Sequence, residues 1–327
     1  MIELPEQIYP YAVSKIRIKE LNLLTKHELE NLADEVNLDR IKSVLIDKDY
    51  NFEIIDKIED FESVLKNEHI KLYNLIKELI PEQEFINLFL CKNDYHNVKL
   101  ILKAKIAGKE YKENLVDAGT IELSKIEENI EKEDYSSFSK YMQEAIKKIK
   151  NIPEYEKRPY IIDSILDAKS FEEMKEMAEG TKCEFLVKYV EKLITLINIK
   201  TFFRVARMFN CNKEMFNISY IEGGNIAKET FLESLGQDLQ NSKLKYEGIK
   251  EIYDQAFYNP ENFDIFCDNY IMDYMKDSKL KALTIEPIVA YIYAKETEIK
   301  NIRIILTGKL NNINSKLIKE RLRESYV

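Results

Sequence analysis

Two Gly-Lys pairs, three histidines and four cysteines are the places where this 327-residue sequence could do chemistry. A nucleotide-binding P-loop needs GxxxxGK[ST], because glycine backbones cradle the phosphates and the hydroxyl holds Mg²⁺. Gly108-Lys109-Glu110 and Gly308-Lys309-Leu310 lack both the first glycine and the hydroxyl. Both read as helix C-caps followed by a lysine. Gly223-Gly224 is not a GxGxxG fingerprint and reads as a turn. The histidines are His27, His69 and His96. Asp94 and His96 look like an acid–imidazole pair, but helical residues two apart do not face each other. His96 therefore reads as a structural hydrogen-bonding residue. A GxSxG elbow and an HExxH helix are absent. The acid pairs Glu127-Glu128 and Glu172-Glu173 read as solvated helix faces. Cys91, Cys183, Cys211 and Cys267 show no CxxC or Cys/His ligand spacing. They read as reduced, semi-buried thiols rather than a metal or disulfide site. The expectation is a chain with no catalytic residue, no cofactor and no metal.

The polar residues that do form a pattern are basic and amide. Lys99 with Lys103, and Lys200 with Arg204, are i,i+4 pairs that each share a helix face; Lys105, Arg207 and Arg303 extend the pattern. Two readings stand. Cations near a helix C-terminus interact favourably with its dipole, and related domains inherit the same internal ion pairs. Alternatively, repeat symmetry gathers these groups around a socket that receives an acidic or polar partner. On that second reading, alanine at Lys99 and Lys200 weakens partner binding without unfolding the chain. Asn97, Asn198 and Asn301 can each donate and accept hydrogen bonds, which suits a helix–helix junction.

These residues fall in repeats. Asn97-Val98-Lys99, Asn198-Ile199-Lys200 and Asn301-Ile302-Arg303 open three similar seven-residue stretches spaced by 101 and 103 residues. Val116-Asp117-Ala118-Gly119-Thr120-Ile121 resembles Ile221-Glu222-Gly223-Gly224-Asn225-Ile226, and Leu310-Asn311-Asn312-Ile313 reads as a fainter third copy. In all three the isoleucine is followed five positions later by an apolar residue: Ile126, Phe231 and Ile318. A period of about 100 residues suits homologous domains rather than a short-repeat solenoid. The expected extents are 1–108, 109–212 and 213–327.

The elements that must position the motif are long helices. Pro81 to Gly108 and Pro287 to Gly308 have proline at the start and glycine at the end, with neither between. Ile288, Ile292, Ile299, Ile302 and Leu306 lie at helical spacing, as do Leu186, Val190, Leu193, Ile197, Val205 and Met208. Thr25-x-x-Glu28 and Ser170-x-x-Glu173 read as capping boxes. Only 8 glycines and 7 prolines serve the whole chain. That is too few for a sandwich, barrel or propeller, which need a turn signal about every 8–12 residues. No alternating strand or Asn-Gly hairpin appears, so the fold class is all-α. The net charge of −9 disfavours a general nucleic-acid binder, whose affinity rests on excess Lys and Arg. The longest apolar runs, such as Pro287 to Ala294, fall well short of the roughly 20 residues that span a bilayer. Met1 to Pro10 has neither the basic nor the apolar region of a signal peptide.

The stretch from Asp94-Tyr95-His96-Asn97-Val98-Lys99 to Ala104-Lys105 resembles the signature of the C subunits of V/A-type rotary ATPases, a family that includes the d subunit of eukaryotic vacuolar ATPases. Tyr11-Ala12-Val13-Ser14-Lys15-Ile16-Arg17, Glu286-Pro287-Ile288-Val289-Ala290-Tyr291 and Arg321-Leu322-Arg323-Glu324-Ser325-Tyr326-Val327 agree with it. The resemblance implies three similar helical domains in a pseudo-threefold, funnel-like arrangement. It implies a non-catalytic protein of the central stalk on the cytoplasmic face of a membrane, peripheral and without a transmembrane helix. Its implied partners are the central-stalk subunits of the soluble ATPase head and the membrane rotor ring. Its implied role is rotor coupling for H⁺ or Na⁺ transport. Asn97, Lys99, Lys103, Asn198, Lys200, Arg204, Asn301 and Arg303 are then partner-interface or repeat-motif residues. An unrelated three-domain helical interaction scaffold is the alternative, and an unrecognised all-α enzyme is the third.

Overall fold

The structure, a computed structural model, describes residues 8–55, 57–80, 82–153 and 158–327. Pro81, expected to start a helix, lies outside them, as does most of the Met1–Pro10 stretch. Every regular element among the described residues is helical. The N-terminal part carries α1 (Ile8–Glu20), α2 (Lys26–Asp34), α3 (Leu38–Asp47) and α4 (Phe61–Leu79). The middle carries α5 (Gln83–Ala107), α6 (Leu123–Lys132), α7 (Lys140–Lys150), α8 (Pro159–Gly180), α9 (Glu184–Met208), α10 (Lys213–Ser219), α11 (Lys228–Ser234) and α12 (Lys250–Tyr258). The C-terminal part carries α13 (Phe263–Lys276), α14 (Glu286–Leu310) and α15 (Ser315–Lys319). Backbone packing divides the chain into two units. Residues 1–83 and 264–327 make one, and residues 84–263 make the other.

In the first unit the two chain ends share one core. Leu29 and Leu32 of α2, Ile41 and Leu45 of α3, and Val64 and Leu65 of α4 pack with Ile299, Ile302, Ile305 and Leu306 of α14. Each fully buried side chain of this kind contributes about 1.5–3 kcal/mol. The expected apolar stripe of α14 is buried throughout, but it understates the burial. Val289, Ala290 and Tyr291 are buried too, because α1, α2 and α4 all pack on this one helix. In the second unit Tyr95, Val98 and Ile101 of α5 pack with Ile126 and Ile130 of α6, Met142 and Ile146 of α7, and Ile162 and Leu166 of α8.

The punctuation is partly as expected. Thr25 caps α2 with both bonds of the capping box to Glu28. Gly108 has φ +62° and follows the last turn of α5, where the Lys109 N–H donates to the Ala104 carbonyl. Gly308 is different, and the C-cap expectation fails there. It lies inside α14, where an added Cβ would meet the Ile318 side chain at 2.7 Å. The glycine makes room for α15 rather than ending a helix. Ser170-Glu173 is likewise no cap, because α8 starts eleven residues earlier at Pro159 and runs straight through it. Leu310-Asn311-Asn312-Ile313 closes α14, with Ile313 N–H donating to the Gly308 carbonyl, and is not a third copy of the glycine turn. The middle long helix ends without glycine or proline, at Asn210 and Cys211 with φ +49° and +56°.

Candidate functional site

The three motif asparagines do the same thing. Each sits on a 25-residue helix and is at most 1% exposed. Asn97 Nδ2 donates to the Val116 carbonyl at 2.9 Å, and its Oδ1 accepts the Val116 N–H at 2.9 Å. Asn198 holds Ile221 through the same two bonds, at 2.7 and 2.9 Å. Asn301 holds Arg323, at 3.0 and 2.8 Å. One side-chain amide thus replaces a whole peptide partner for a residue 19, 23 or 22 positions downstream. Buried backbone groups must be paired, and a loop leaving a long helix has no ladder to supply that pairing. Asparagine, with donor and acceptor side by side, meets both demands.

A second position lies three residues before each asparagine; the sequence drew attention there only to Asp94, as an apparent partner of His96, and not to the repeat of polar residues. Asp94 accepts the Thr120 and Ile121 N–H groups at 2.9–3.2 Å, and the Thr120 hydroxyl at 2.6 Å. Thr195 Oγ1 accepts the Asn225 N–H at 2.9 Å. Glu298 accepts the Leu24 N–H. The available signal was three polar residues, one turn below the asparagines, in otherwise apolar helix faces. Burial raises the Asp94 carboxyl above the usual aspartate range, and the bonds from Thr120 and Ile121 pull against that rise. The glycine turn fits closely around this residue. A Cβ on Gly119 would lie 2.0 Å from Asp94 Oδ1, and one on Gly224 would lie 3.0 Å from Thr195 Oγ1. Gly119→Ala is therefore expected to cost about 2–4 kcal/mol, through overpacking and displaced carboxylate bonds. Gly108→Ala, which meets no neighbour, should cost only the left-handed backbone term of about 1–2 kcal/mol. Urea unfolding of the two variants checks the difference.

The cations separate into internal and open. Lys99 pairs with Asp167, and Lys103 with Asp163 at 2.8 Å, so α5 and α8 are laced by two rungs one turn apart. Arg303 of α14 makes a two-pronged bond to Glu62 of α4, at 2.7 and 3.1 Å. These three spend their charge inside the repeats. Lys105 donates to the Ile130 carbonyl, and Arg207 to the Ala256 and Phe257 carbonyls. Lys200 is exposed and engaged in an interaction. Arg204 is exposed and has no hydrogen bond or ion pair among the described residues. His96 is exposed, with Nε2 3.3 Å from the Asn114 carbonyl, and forms no pair with buried Asp94. Glu173, expected on a solvated face, is buried and accepts the Tyr95 and Ser139 hydroxyls at 2.6 and 2.7 Å. Burial, followed by the Glu173 charge, pushes the Tyr95 phenol far up, so it remains a donor.

The first unit also holds a buried ionic knot. Lys295 of α14 bonds Glu298 at 2.8 Å and lies 3.9 Å from Glu68 of α4. Its ammonium sits 3.9 Å over the Tyr50 ring, and the Tyr50 hydroxyl donates to Glu298 at 2.7 Å. Around it, Lys19, Lys48, Lys71 and Lys295 line a cavity of about 150 Å³ with Asp49 and Glu68. Each of these lysines already faces a carboxylate. None of the four cysteines is in a disulfide; Cys91 is buried and its thiol is pushed up by burial. Among the described residues no group of three or more His, Cys, Asp or Glu could hold a metal ion. No helix among them is long and apolar enough to cross a membrane.

Comparison with known proteins matches residues 12–321 to the family described as ATP synthase (C/AC39) subunit. The C subunit of the V-type sodium ATPase of Enterococcus hirae is 25% identical over 319 residues, covering 95% of this chain and 97% of that protein. The C subunit of the A-type ATP synthase of Methanocaldococcus jannaschii is 24% identical, covering 96% of this chain and 86% of its own length. That of Pyrococcus furiosus is 24% identical, covering 97% and 90%.

Proposed function

The chain belongs to the ATP synthase (C/AC39) subunit family, and from that premise we propose that it is the rotor-coupling subunit of a V/A-type rotary ATPase. On this reading it is non-catalytic and joins the central stalk of the soluble head to the membrane rotor ring. The observation that carries the reading is a match over nearly the whole chain and at least 86% of each of the three relatives described above. The role needs a stiff body, since torque passed through a compliant link is lost as strain. Three 25-residue helices, each about 37 Å long, each clasped to its own following loop, support it.

The finer picture is three similar helical repeats arranged as a pseudo-threefold funnel. Its socket receives the stalk and its base rests on the ring, at the cytoplasmic face of the membrane. The transported ion is H⁺ or Na⁺. Within the repeat motif we assign Asn97, Asn198, Asn301, Lys99, Lys103 and Arg303 to holding the fold. Arg204, with Lys200 beside it, is the candidate for partner contact.

The test is purification of the tagged chain from gently solubilised native membranes, with mass spectrometry of what accompanies it. Central-stalk and ring subunits are expected. A preparation without them, under conditions where the ATPase stays assembled, overturns the reading and returns the chain to a helical scaffold. Arg204→Ala is expected to reduce stalk and ring recovery while leaving thermal unfolding unchanged. Lys99→Ala is expected to do the reverse, with a stability loss of no more than about 1 kcal/mol, as for a half-exposed ion pair.

A further inference from the structure

The last residues of the chain are held as a bound peptide is held. Arg323 is clasped by Asn301, and its guanidinium bonds Asp268 at 2.8 Å. The Glu324 N–H donates to Asn269 Oδ1 at 2.8 Å, and its carboxylate meets Lys26 at 2.9 Å. The Ser325 hydroxyl donates to the Leu24 carbonyl. Tyr326 is 2% exposed, its hydroxyl 3.2 Å from that of Ser278 and its ring under the Lys279 ammonium. None of these contacts is a helix or strand pairing. All of them reach back to α13, α14 and the turn after α13, or across to the start of the chain.

The other two repeats explain why the start of the chain is involved. From Val116 and from Ile221 the backbone runs unbroken through a glycine to Ile121 and Ile226, then into α6 and α11. Asp94 and Thr195 catch N–H groups in that turn. Five residues on, Ile126 and Phe231 are fully buried. After Arg323 the backbone through Val327 forms no helix. The N–H caught by Glu298 is that of Leu24, the next residue caps α2, and five residues on, Leu29 is buried. Farther along, Glu62 of α4 meets Arg303 as Asp167 of α8 meets Lys99.

We infer that residues 321–327 are the cis ligand of a peptide-binding site in the first unit, and that filling it completes a third repeat begun by α14 and finished by α2–α4. The repeats are thus out of phase with three consecutive stretches of sequence. They open at α5, α9 and α14, and α1 belongs to none of them. The ligand class is a short peptide carrying Arg-Glu-Ser-Tyr, read by a backbone clasp, an acid for its arginine and a closed slot for its tyrosine.

The test is complementation in trans. A chain ending at Glu320 is mixed with the labelled synthetic heptapeptide of residues 321–327, and binding is read by anisotropy and thermal unfolding. Saturable binding with a rise in melting temperature is expected. The intact chain should bind the peptide at least about tenfold more weakly, because its site is filled at high effective concentration. A peptide carrying Tyr326→Ala should not bind. A truncated chain that melts like the intact one and takes up no peptide overturns the inference. If the truncated chain does not stay soluble, hydrogen exchange on intact Asn301→Ala decides. Protection should fall together at residues 24–34 and 321–327 while residues 84–263 keep theirs. Unchanged protection in α2 overturns the inference.

Discussion

Asn97→Leu is expected to lower stability by about 2–5 kcal/mol, far beyond what an exposed polar substitution costs. Leucine keeps the volume but leaves the Val116 N–H and C=O without partners. A buried backbone group stripped of its bond costs about 1–3 kcal/mol, and here two are stripped at once. Asn198→Leu and Asn301→Leu should cost similar amounts, because the geometry is the same at all three sites. Asn97→Asp should cost almost as much, since a carboxylate cannot donate to the Val116 carbonyl. Urea unfolding followed by circular dichroism measures the losses. Hydrogen exchange locates them, with Asn97 and Asn198 variants loosening residues 84–263 and Asn301 loosening the first unit. A loss under about 0.5 kcal/mol for Asn97→Leu, within the range of ordinary surface substitutions, would mean that water replaces the amide and that the clasp is dispensable.

Lys295→Met should cost about 3–5 kcal/mol. Lys295, Glu298 and Glu68 are all less than a tenth exposed, so removing the ammonium leaves Glu298 buried without a counter-ion, beside a Glu68 carboxylate held only by the half-exposed Lys71. The phenol of Tyr50 does not rescue them. Burial and the Glu298 charge push it well above the usual tyrosine range, and it already donates to Glu298. Removing the charge on both sides should restore part of the loss, so Lys295→Met with Glu298→Gln is expected to be more stable than Lys295→Met alone. Urea midpoints of the two variants decide this. A double variant no better than the single would mean that the Leu24 bond of Glu298, rather than the ion pair, dominates.

What could be read from the sequence was what periodicity and local sterics determine. The long helices and their apolar stripes follow from spacing, the start of α2 from Thr25 and Glu28, and the end of α5 from Gly108. The asparagines were recognisable because they recur at near-constant separation. Their task was not, because it depends on which loop each helix meets. The failures share a cause. Ser170-Glu173 and Gly308 carry end-of-helix chemistry, but partners distant in sequence override it. Tyr95 and Ser139 claim Glu173, and Ile318 fills the space beside Gly308. The charge pairs were ambiguous for the same reason. Nothing local distinguishes Lys99, which meets an aspartate 68 residues on, from Arg204, which meets none among the described residues.

The first unit draws its core from both ends of the chain, and this has a consequence for the ribosome. The second unit is contiguous in sequence and has its complete core once about residue 263 has emerged. Residues up to 83 leave the exit tunnel before the second unit, yet Arg303 and Leu24's partners Glu298 and Ser325 are made after it. At about 5–20 residues per second, roughly 10–50 s pass between the synthesis of residue 83 and that of residue 327. For that interval the apolar faces of α2, α3 and α4 wait for α14. These helices are thus made before the second unit and buried after it, and they are a part of the nascent chain that a holding chaperone would meet.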